Sequence, residues 1–185
     1  MTTKKPPSVF VDSEVSTQIL GVINEARQYV VIVSPYLRMW GHARCAVEQA
    51  LRRGVRVSMY LRDDQDKPPL DQIQWLVSNG VSVFAVQGLH AKVYMNEQTV
   101  LLSSMNFTES SALNSLEIAY LVRDSEHAQR IREYVASDIT TQAVQIPNIS
   151  DSPPGSQRAQ PASRTPGTLG QDSASAAEGT STLNR

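Results

Sequence analysis

Cysteine is almost absent: the single Cys45 leaves no partner for an intrachain disulfide and no thiolate cluster for a structural zinc site, which fits a reducing compartment. Aromatic residues are few, at 6%, and neither sign of charge dominates. With 17 Lys and Arg against 18 Asp and Glu, the net charge of −1 excludes a broadly basic binder that gains its affinity from counterion release. Affinity for a polyanion has to come from a local patch. No apolar run approaches the ~20 residues that a membrane span needs. The opening MTTKKPPSVFVDSE carries two lysines with no apolar stretch behind them, so neither a secretory signal nor a spanning segment is expected and the expected address is the cytoplasm.

What is present suffices for one folded unit. At 185 residues and 41% hydrophobic, the chain can bury a core without staples. Residues 1–8 read as a flexible N-terminus and 9–140 as the folded domain. Residues 141–185, rich in Ser, Pro, Gly and Thr, have too few aliphatic side chains to offset ordering entropy and read as a disordered tail.

Within the domain a grammar repeats. Asp12 or Ser13 caps a helix with apolar positions Val15, Ile19, Leu20, Ile23 and Ala26, and YVVIVS at Tyr29–Ser34 reads as a buried strand stopped by Pro35. A helix over Ala43–Arg53 closes on Gly54 before a strand at Val55–Leu61. A helix over Leu70–Ser78 ends at Asn79-Gly80 before a strand at Val81–Val86. Helix, glycine, strand, twice over, is the pattern of crossover units feeding parallel strands. A strand at Glu117–Val122 and a helix over Ser125–Ser137 follow. The fold class expected is α/β, a mixed, mostly parallel sheet flanked by helices on both faces.

The run LHAKVYMNEQTVLLSSMN, from Leu89 to Asn106, carries the chemistry. In an extended chain His90 and Lys92 share a face, and a tight turn at Asn96-Glu97-Gln98 returns Ser104 and Asn106 beside them. A nucleophile, a cation and hydrogen-bond donors then converge. These residues resemble the HKD motif of the phospholipase D superfamily, H-x-K, four residues, D, six residues, G-S-x-N. Asn114-Ser115-Leu116-Glu117 is similar to the family's acidic residue at the start of the next strand. The resemblance covers roughly Val9 to Val135. It departs from the pattern twice: the aspartate position falls on Glu97 counting forward from Lys92 or on Asn96 counting back from the serine, and the glycine is Ser103.

The resemblance implies a phospholipase D-like fold and a phosphodiesterase that needs no metal or other cofactor. His90 attacks phosphorus, Lys92, Ser104 and Asn106 hold the phosphate, and Glu117 accepts a hydrogen bond from the other ring nitrogen of His90. In-line attack leaves the departing oxygen out of reach of His90, so a second acid has to face it. Neither His42 nor His127 is followed by lysine two positions on, and both read as exposed bystanders. A two-fold homodimer that pairs two His90 side chains is therefore expected, as in the small single-motif endonucleases of this superfamily.

Around the cleft, Arg38 and Arg44 with Tyr36 and Trp40 are candidates to contact phosphate and stack a base. Nucleic acid, DNA or RNA, is the expected substrate. A phospholipid or membrane substrate is the alternative, with Leu37, Met39 and Trp40 as its apolar surface, and a catalytically degraded scaffold is the third reading. Asp63-Asp64-Gln65-Asp66 lacks the spacing of a calcium loop and reads as a polar turn. Arg52, Arg53 and Arg56 read as a solvated helix end, and Cys45 as a small buried residue.

Overall fold

The computed structural model describes residues 8–63 and 68–147. Residues 1–7, Asp64, Gln65 and Asp66 of the acidic turn, and most of the expected tail lie outside the described residues. The strands are β1 (Val9–Val11), β2 (Tyr29–Val33), β3 (Leu37–Arg38), β4 (Arg56–Arg62), β5 (Ser82–Val86), β6 (Val93–Asn96), β7 (Val100–Ser103), β8 (Phe107–Thr108), β9 (Ile118–Leu121) and β10 (Val144–Gln145). The helices are α1 (Ser13–Glu25), α2 (Gly41–Arg52), α3 (Leu70–Ser78), α4 (Glu109–Asn114) and α5 (Ser125–Tyr134). A π turn at Val135–Ile139 and a 3-10 turn at Thr140–Gln142 continue α5.

Eight strands form one mixed sheet in the order β1-β9-β7-β6-β2-β4-β5-β10. The two crossover units set β2, β4 and β5 side by side and parallel. Every other neighbouring pair of this sheet is antiparallel, so the parallel share is smaller than the helix–glycine–strand grammar suggests. Helices α1, α2 and α3 cover one face through a core that includes Ile19, Ile23, Val47, Ala50, Ile73 and Leu76. On the other face, Val135, Ile139 and the half-buried Ile131 pack on Val33, Tyr60, Val86, Val93, Met95 and Val100. No described helix is long and apolar enough to cross a membrane.

Local chemistry accounts for the joints. Asp12 precedes α1 with φ of 51° and makes no side-chain cap, so the expected capping role is not its own. Helix α1 has no basic residue in its last turn. The Arg53 guanidinium supplies one from the end of α2, donating to the Ile23 and Ala26 carbonyls at 3.0 and 3.4 Å. Part of the stretch that composition assigns to the tail is paired. Val144 and Gln145 pair antiparallel with Ala85 and Phe84, because two backbone bonds at an open sheet edge need no aliphatic content. Cys45 is exposed rather than buried, since it lies on the outward face of α2 while Ala43, Ala46 and Val47 face the core.

The turn that leads to the motif depends on Gly88. Its φ of +67° swings the chain out of β5, across the ends of β4 and β2, and into β6 on the far side of β2. A Cβ at Gly88 would meet nothing within 4 Å, so a substitution there is penalised by backbone conformation and not by a clash. Gly88→Val is expected to cost about 1–2 kcal/mol in urea denaturation and Gly88→Asn clearly less, because Asn tolerates the left-handed region. Equal losses for the two would contradict this account.

Candidate active site

Three strand ends build the site. In the β6–β7 ladder Val93 pairs with Leu102, and one step further the Ser103 N–H donates to the Lys92 carbonyl at 3.2 Å. In the β7–β9 ladder Ser103 pairs with Ala119, and one step further the Ser104 N–H donates to the Ile118 carbonyl at 3.0 Å. Lys92, Ser104 and Glu117 therefore leave three adjacent strands at the same end of the sheet. That end is where β2 finishes and where the parallel order reverses, since β2 has β4 on one side and β6 on the other. His90 and Lys92 belong to the extended lead-in to β6, not to the strand itself.

His90 is exposed, and Lys92, Asn106 and Glu117 are partly buried. The Lys92 ammonium donates to the His90 carbonyl at 3.0 Å, which ties the lysine side chain to the His90 backbone. Burial lowers the Lys92 pKa from its ordinary value, and the Glu117 carboxylate opposes that shift. Glu117 itself accepts a short hydrogen bond from the Ser104 hydroxyl. The expected bond from His90 to Glu117 is not formed among the described residues: the carboxylate is engaged by its nearer neighbour across the β7–β9 register. The Asn106 Oδ1 is buried and has no hydrogen-bond partner among the described residues.

The loop 103–107 that presents Ser104 and Asn106 is fixed from beneath. The Tyr94 hydroxyl, fully buried, donates to the Met105 carbonyl at 2.7 Å. Burial raises the Tyr94 pKa far above its ordinary value, against a smaller opposing effect of Ser34, so this donor never ionises at working pH. The Ser34 hydroxyl donates to the Tyr36 carbonyl at 2.8 Å and accepts from the Phe107 N–H at 2.9 Å. Neither Ser34 nor Tyr94 stands out in the sequence; a serine at the end of a buried strand is the one signal that could have found the first.

The two departures from the motif are filled by side chains that brace it. Asn96, 1% exposed, donates to the Val22 carbonyl at 2.8 Å and accepts from the Gln98 and Thr99 N–H groups at 2.9 and 2.7 Å. Its own carbonyl accepts from Arg132 at 2.7 Å. Glu97 instead reaches outward and accepts from the Arg27 and Gln28 N–H groups at 2.9 and 3.3 Å. Both residues sit at the turn, six and seven residues along an extended chain from His90 and so roughly 20 Å or more from it. They are hairpin residues and not residues of the site. Ser103, in the glycine's place, donates to the Ile118 carbonyl at 3.1 Å and accepts from the Met105 N–H at 3.0 Å.

Of the four cleft candidates, the structure keeps two at the surface beside the loop. Strand β3 pairs parallel with β8, so Arg38 lies opposite Thr108, two residues past Asn106, and Tyr36 and Arg38 line a hollow of about 320 Å³ with Thr108 and Ser110. Trp40 is corrected: it is 5% exposed and packs edge-on against Phe107 at 5.2 Å, because the β3–β8 pairing draws it under the loop. Leu37 is 4% exposed, so the proposed lipid surface of Leu37, Met39 and Trp40 does not exist as such. Arg44 stacks on the Trp75 ring at 4.5 Å and is engaged on α3. His42 and His127 are exposed, the latter 3.6 Å from Asp124. Among the described residues no group of three His, Cys, Asp or Glu is placed to hold a metal ion.

A family model described as "Cardiolipin synthase, PLD-like domain" matches residues 19–139. Cardiolipin synthase B of Escherichia coli (strain K12) is 26% identical over 141 residues, 72% of this chain and 34% of that protein. The chain thus spans about a third of the length of the curated relatives it matches. Among solved structures, Nuc, a phospholipase D family member from Salmonella typhimurium, aligns with a TM-score of 0.65 at 20% identity, over 76% of this chain and 99% of that one. NucT from Helicobacter pylori aligns at 0.67 and 18% identity, over 75% and 98%. Phosphatidylserine synthase of Haemophilus influenzae Rd KW20 aligns at 0.63 and 14% identity, over 79% and 42%. These three show the fold.

Two tests follow from the braces and the charges. Asn96→Ala removes three side-chain bonds and is expected to cost roughly 2–4 kcal/mol in thermal or urea unfolding, and Asn96→Asp, which keeps the two accepted bonds and loses the donated one, an intermediate amount. A loss under about 0.5 kcal/mol for the alanine variant would contradict the brace. Glu117→Gln removes the carboxylate that opposes desolvation, so the Lys92 titration followed by heteronuclear NMR should move further down. No movement, or movement upward, would contradict the coupling.

Proposed function

The chain belongs to the phospholipase D-like domain family, and from that premise we propose that it is a metal-independent phosphodiesterase of DNA or RNA, working through a phosphohistidine on His90 in a site shared by two copies. The observation that carries this reading is the register that brings Lys92, Ser104 and Glu117 to one end of three adjacent strands beside an exposed His90.

A ring nitrogen of His90 forms the bond to phosphorus as the bond from phosphorus to the leaving alkoxide breaks. The Lys92 ammonium and the Asn106 amide offset charge on the non-bridging oxygens. Ser104 joins them only by turning its hydroxyl away from Glu117, and that turn frees the carboxylate to accept from the second ring nitrogen of His90 and stabilise its developing charge. The leaving alkoxide takes a proton from the His90 of the second copy. That ring, now neutral, takes a proton from water as the water oxygen attacks phosphorus and releases the first ring.

One consideration supports one site per pair of copies: these 185 residues carry one motif, and in-line transfer calls for a second acid facing the first. Nucleic acid is supported by the cleft rim, where Tyr36 and Arg38 reach the surface while Leu37 and Trp40 are buried. A lipid phosphodiesterase or phosphatidyl transferase is the second reading, favoured by the name of the sequence relative. A catalytically degraded scaffold of the same fold is the third reading; against it stands the support that Asn96 and Ser103 give the hairpin and loop.

Incubation with single- and double-stranded DNA, RNA and phospholipid vesicles in excess EDTA decides among these. Nucleic acid cleavage should persist in chelator and fall by at least ~10³-fold in His90→Ala, and Lys92→Ala should lose about 10²-fold or more. Loss of activity in EDTA would contradict the mechanism. Turnover of lipid alone would replace the substrate.

A further inference from the structure

Among the described residues three polar or charged ones are buried: Ser34, Asn96 and Thr108. A buried polar group is tolerated where its hydrogen bonds offset desolvation, so its partners show what it serves. Asn96 serves the hairpin turn, and Thr108 caps α4 by accepting from the Ser111 N–H at 3.3 Å. Ser34, 0% exposed at the end of β2, reaches further. Its hydroxyl donates to the Tyr36 carbonyl at 2.8 Å and accepts, at 2.9 Å, from the N–H of Phe107, 73 positions along the chain.

The first partner belongs to the cleft rim, whose backbone is anchored on both sides of it. The Pro35 carbonyl accepts from the Arg62 N–H at 3.1 Å, the Met39 N–H donates to the Gln72 side-chain oxygen at 2.8 Å, and Leu37 and Arg38 pair with Phe107 and Thr108. The second partner belongs to the loop that presents Ser104 and Asn106. The peptide unit joining Asn106 to Phe107 gives its N–H to Ser34, and its carbonyl accepts from the Thr108 N–H at 2.7 Å, so both ends are held. That unit is planar and pivots on the Asn106 Cα, so tilting it swings the Asn106 side chain.

We infer that Ser34 is a positioning residue through which occupancy of the Tyr36–Arg38 rim sets the placement of Asn106, so that the site favours a nucleic acid strand long enough to lie on the rim over a small phosphodiester. This deepens the phosphodiesterase reading above and rests on it. The hydroxyl has one proton, given to the rim, and accepts from the loop, so a shift of the Tyr36 carbonyl turns Oγ and is felt at the Phe107 N–H. Arg38, exposed on the rim, supplies the charge that a strand phosphate meets. Binding energy from nucleotides remote from the reacting phosphorus then goes into placing Asn106 against it, which raises kcat instead of only lowering KM.

Heteronuclear NMR of the full chain tests the link without turnover. Inorganic phosphate titrated into the wild type should shift the Ser104 and Asn106 amides and, with the same midpoint, those of Tyr36 and Arg38. In Ser34→Ala the loop amides should still respond while the rim response falls by about threefold or more. Ser34→Cys keeps the volume with weaker hydrogen bonds and should fall between; it is the variant to read if the alanine variant does not fold. Val47→Ala, a core substitution on α2, controls for lost packing and should leave the rim response intact. Wild-type kcat should be about tenfold or more higher on a single-stranded oligonucleotide than on a dinucleotide, and the ratio should approach one in the Ser34 variants. A rim silent in the wild type, a response unchanged in the Ser34 variants, an equal loss in Val47→Ala, or a wild-type kcat independent of length would overturn the link while the phosphodiesterase reading stands. Phosphate that moves none of these amides, with no diester cleaved, would remove the reading and the link together.

Discussion

Strand register is the constraint on which the candidate site depends. The nucleophile, cation, hydroxyl and carboxylate are scattered over 28 positions of sequence from His90 to Glu117, and only the pairing of β6 with β7 and of β7 with β9 brings them together. A slip of one residue in either ladder would turn Lys92 or Ser104 to the opposite side of the sheet. The structure pins both ends of the hairpin against such a slip. Asn96 and Arg132 hold the turn, and Tyr94, Ser34 and Ser103 hold the loop beyond β7. Apart from Arg132 these holds are between neutral groups, so they carry no charge for a change of pH to remove.

The departures from the family pattern take on a physical meaning in this frame. An amide at Asn96 both donates and accepts, which a carboxylate cannot do, and α1 supplies the Val22 carbonyl that uses the extra donor. A serine in place of glycine at Ser103 adds a hydroxyl that stitches β9 to the loop. Each change moves the burden of support onto side-chain hydrogen bonds of this chain. The price is local interdependence: α1, the hairpin and α5 meet at one asparagine, so perturbation of any of them reaches the register.

Much of this was legible in the residues, for identifiable reasons. Helix α3 runs over Leu70–Ser78 as its period and its Asn-Gly ending dictate, and the helix–glycine–strand units place β2, β4 and β5. His90, Lys92 and Ser104 were visible as types at a spacing and Glu117 through the resemblance, and the fold puts them at one sheet end. What could not be read depended on distant partners. Trp40 looked like a surface aromatic because nothing local reveals that β3 pairs with β8, and Val144 looked like tail because edge pairing needs no hydrophobic pattern. Cys45 misled because cysteine is usually buried, whereas here helical phase decides. The exposure of the β1–β9 edge was hidden for the same reason: Ile118, Tyr120, Val9 and Val11 alternate as an ordinary strand does, and only the extent of α5 reveals that no described residue covers them.

The proposed chemistry reduces to a transient bond between one imidazole and phosphorus, supported by a desolvated lysine and by a carboxylate that would exchange the Ser104 hydroxyl for a ring nitrogen. The measurement closest to that claim is an alkaline quench during turnover of a substrate labelled at phosphorus, followed by peptide mapping. The account expects label on the peptide that holds His90, stable in alkali, lost in acid and formed equally in EDTA. Turnover at full rate with no label on that peptide, in wild-type protein, would contradict it.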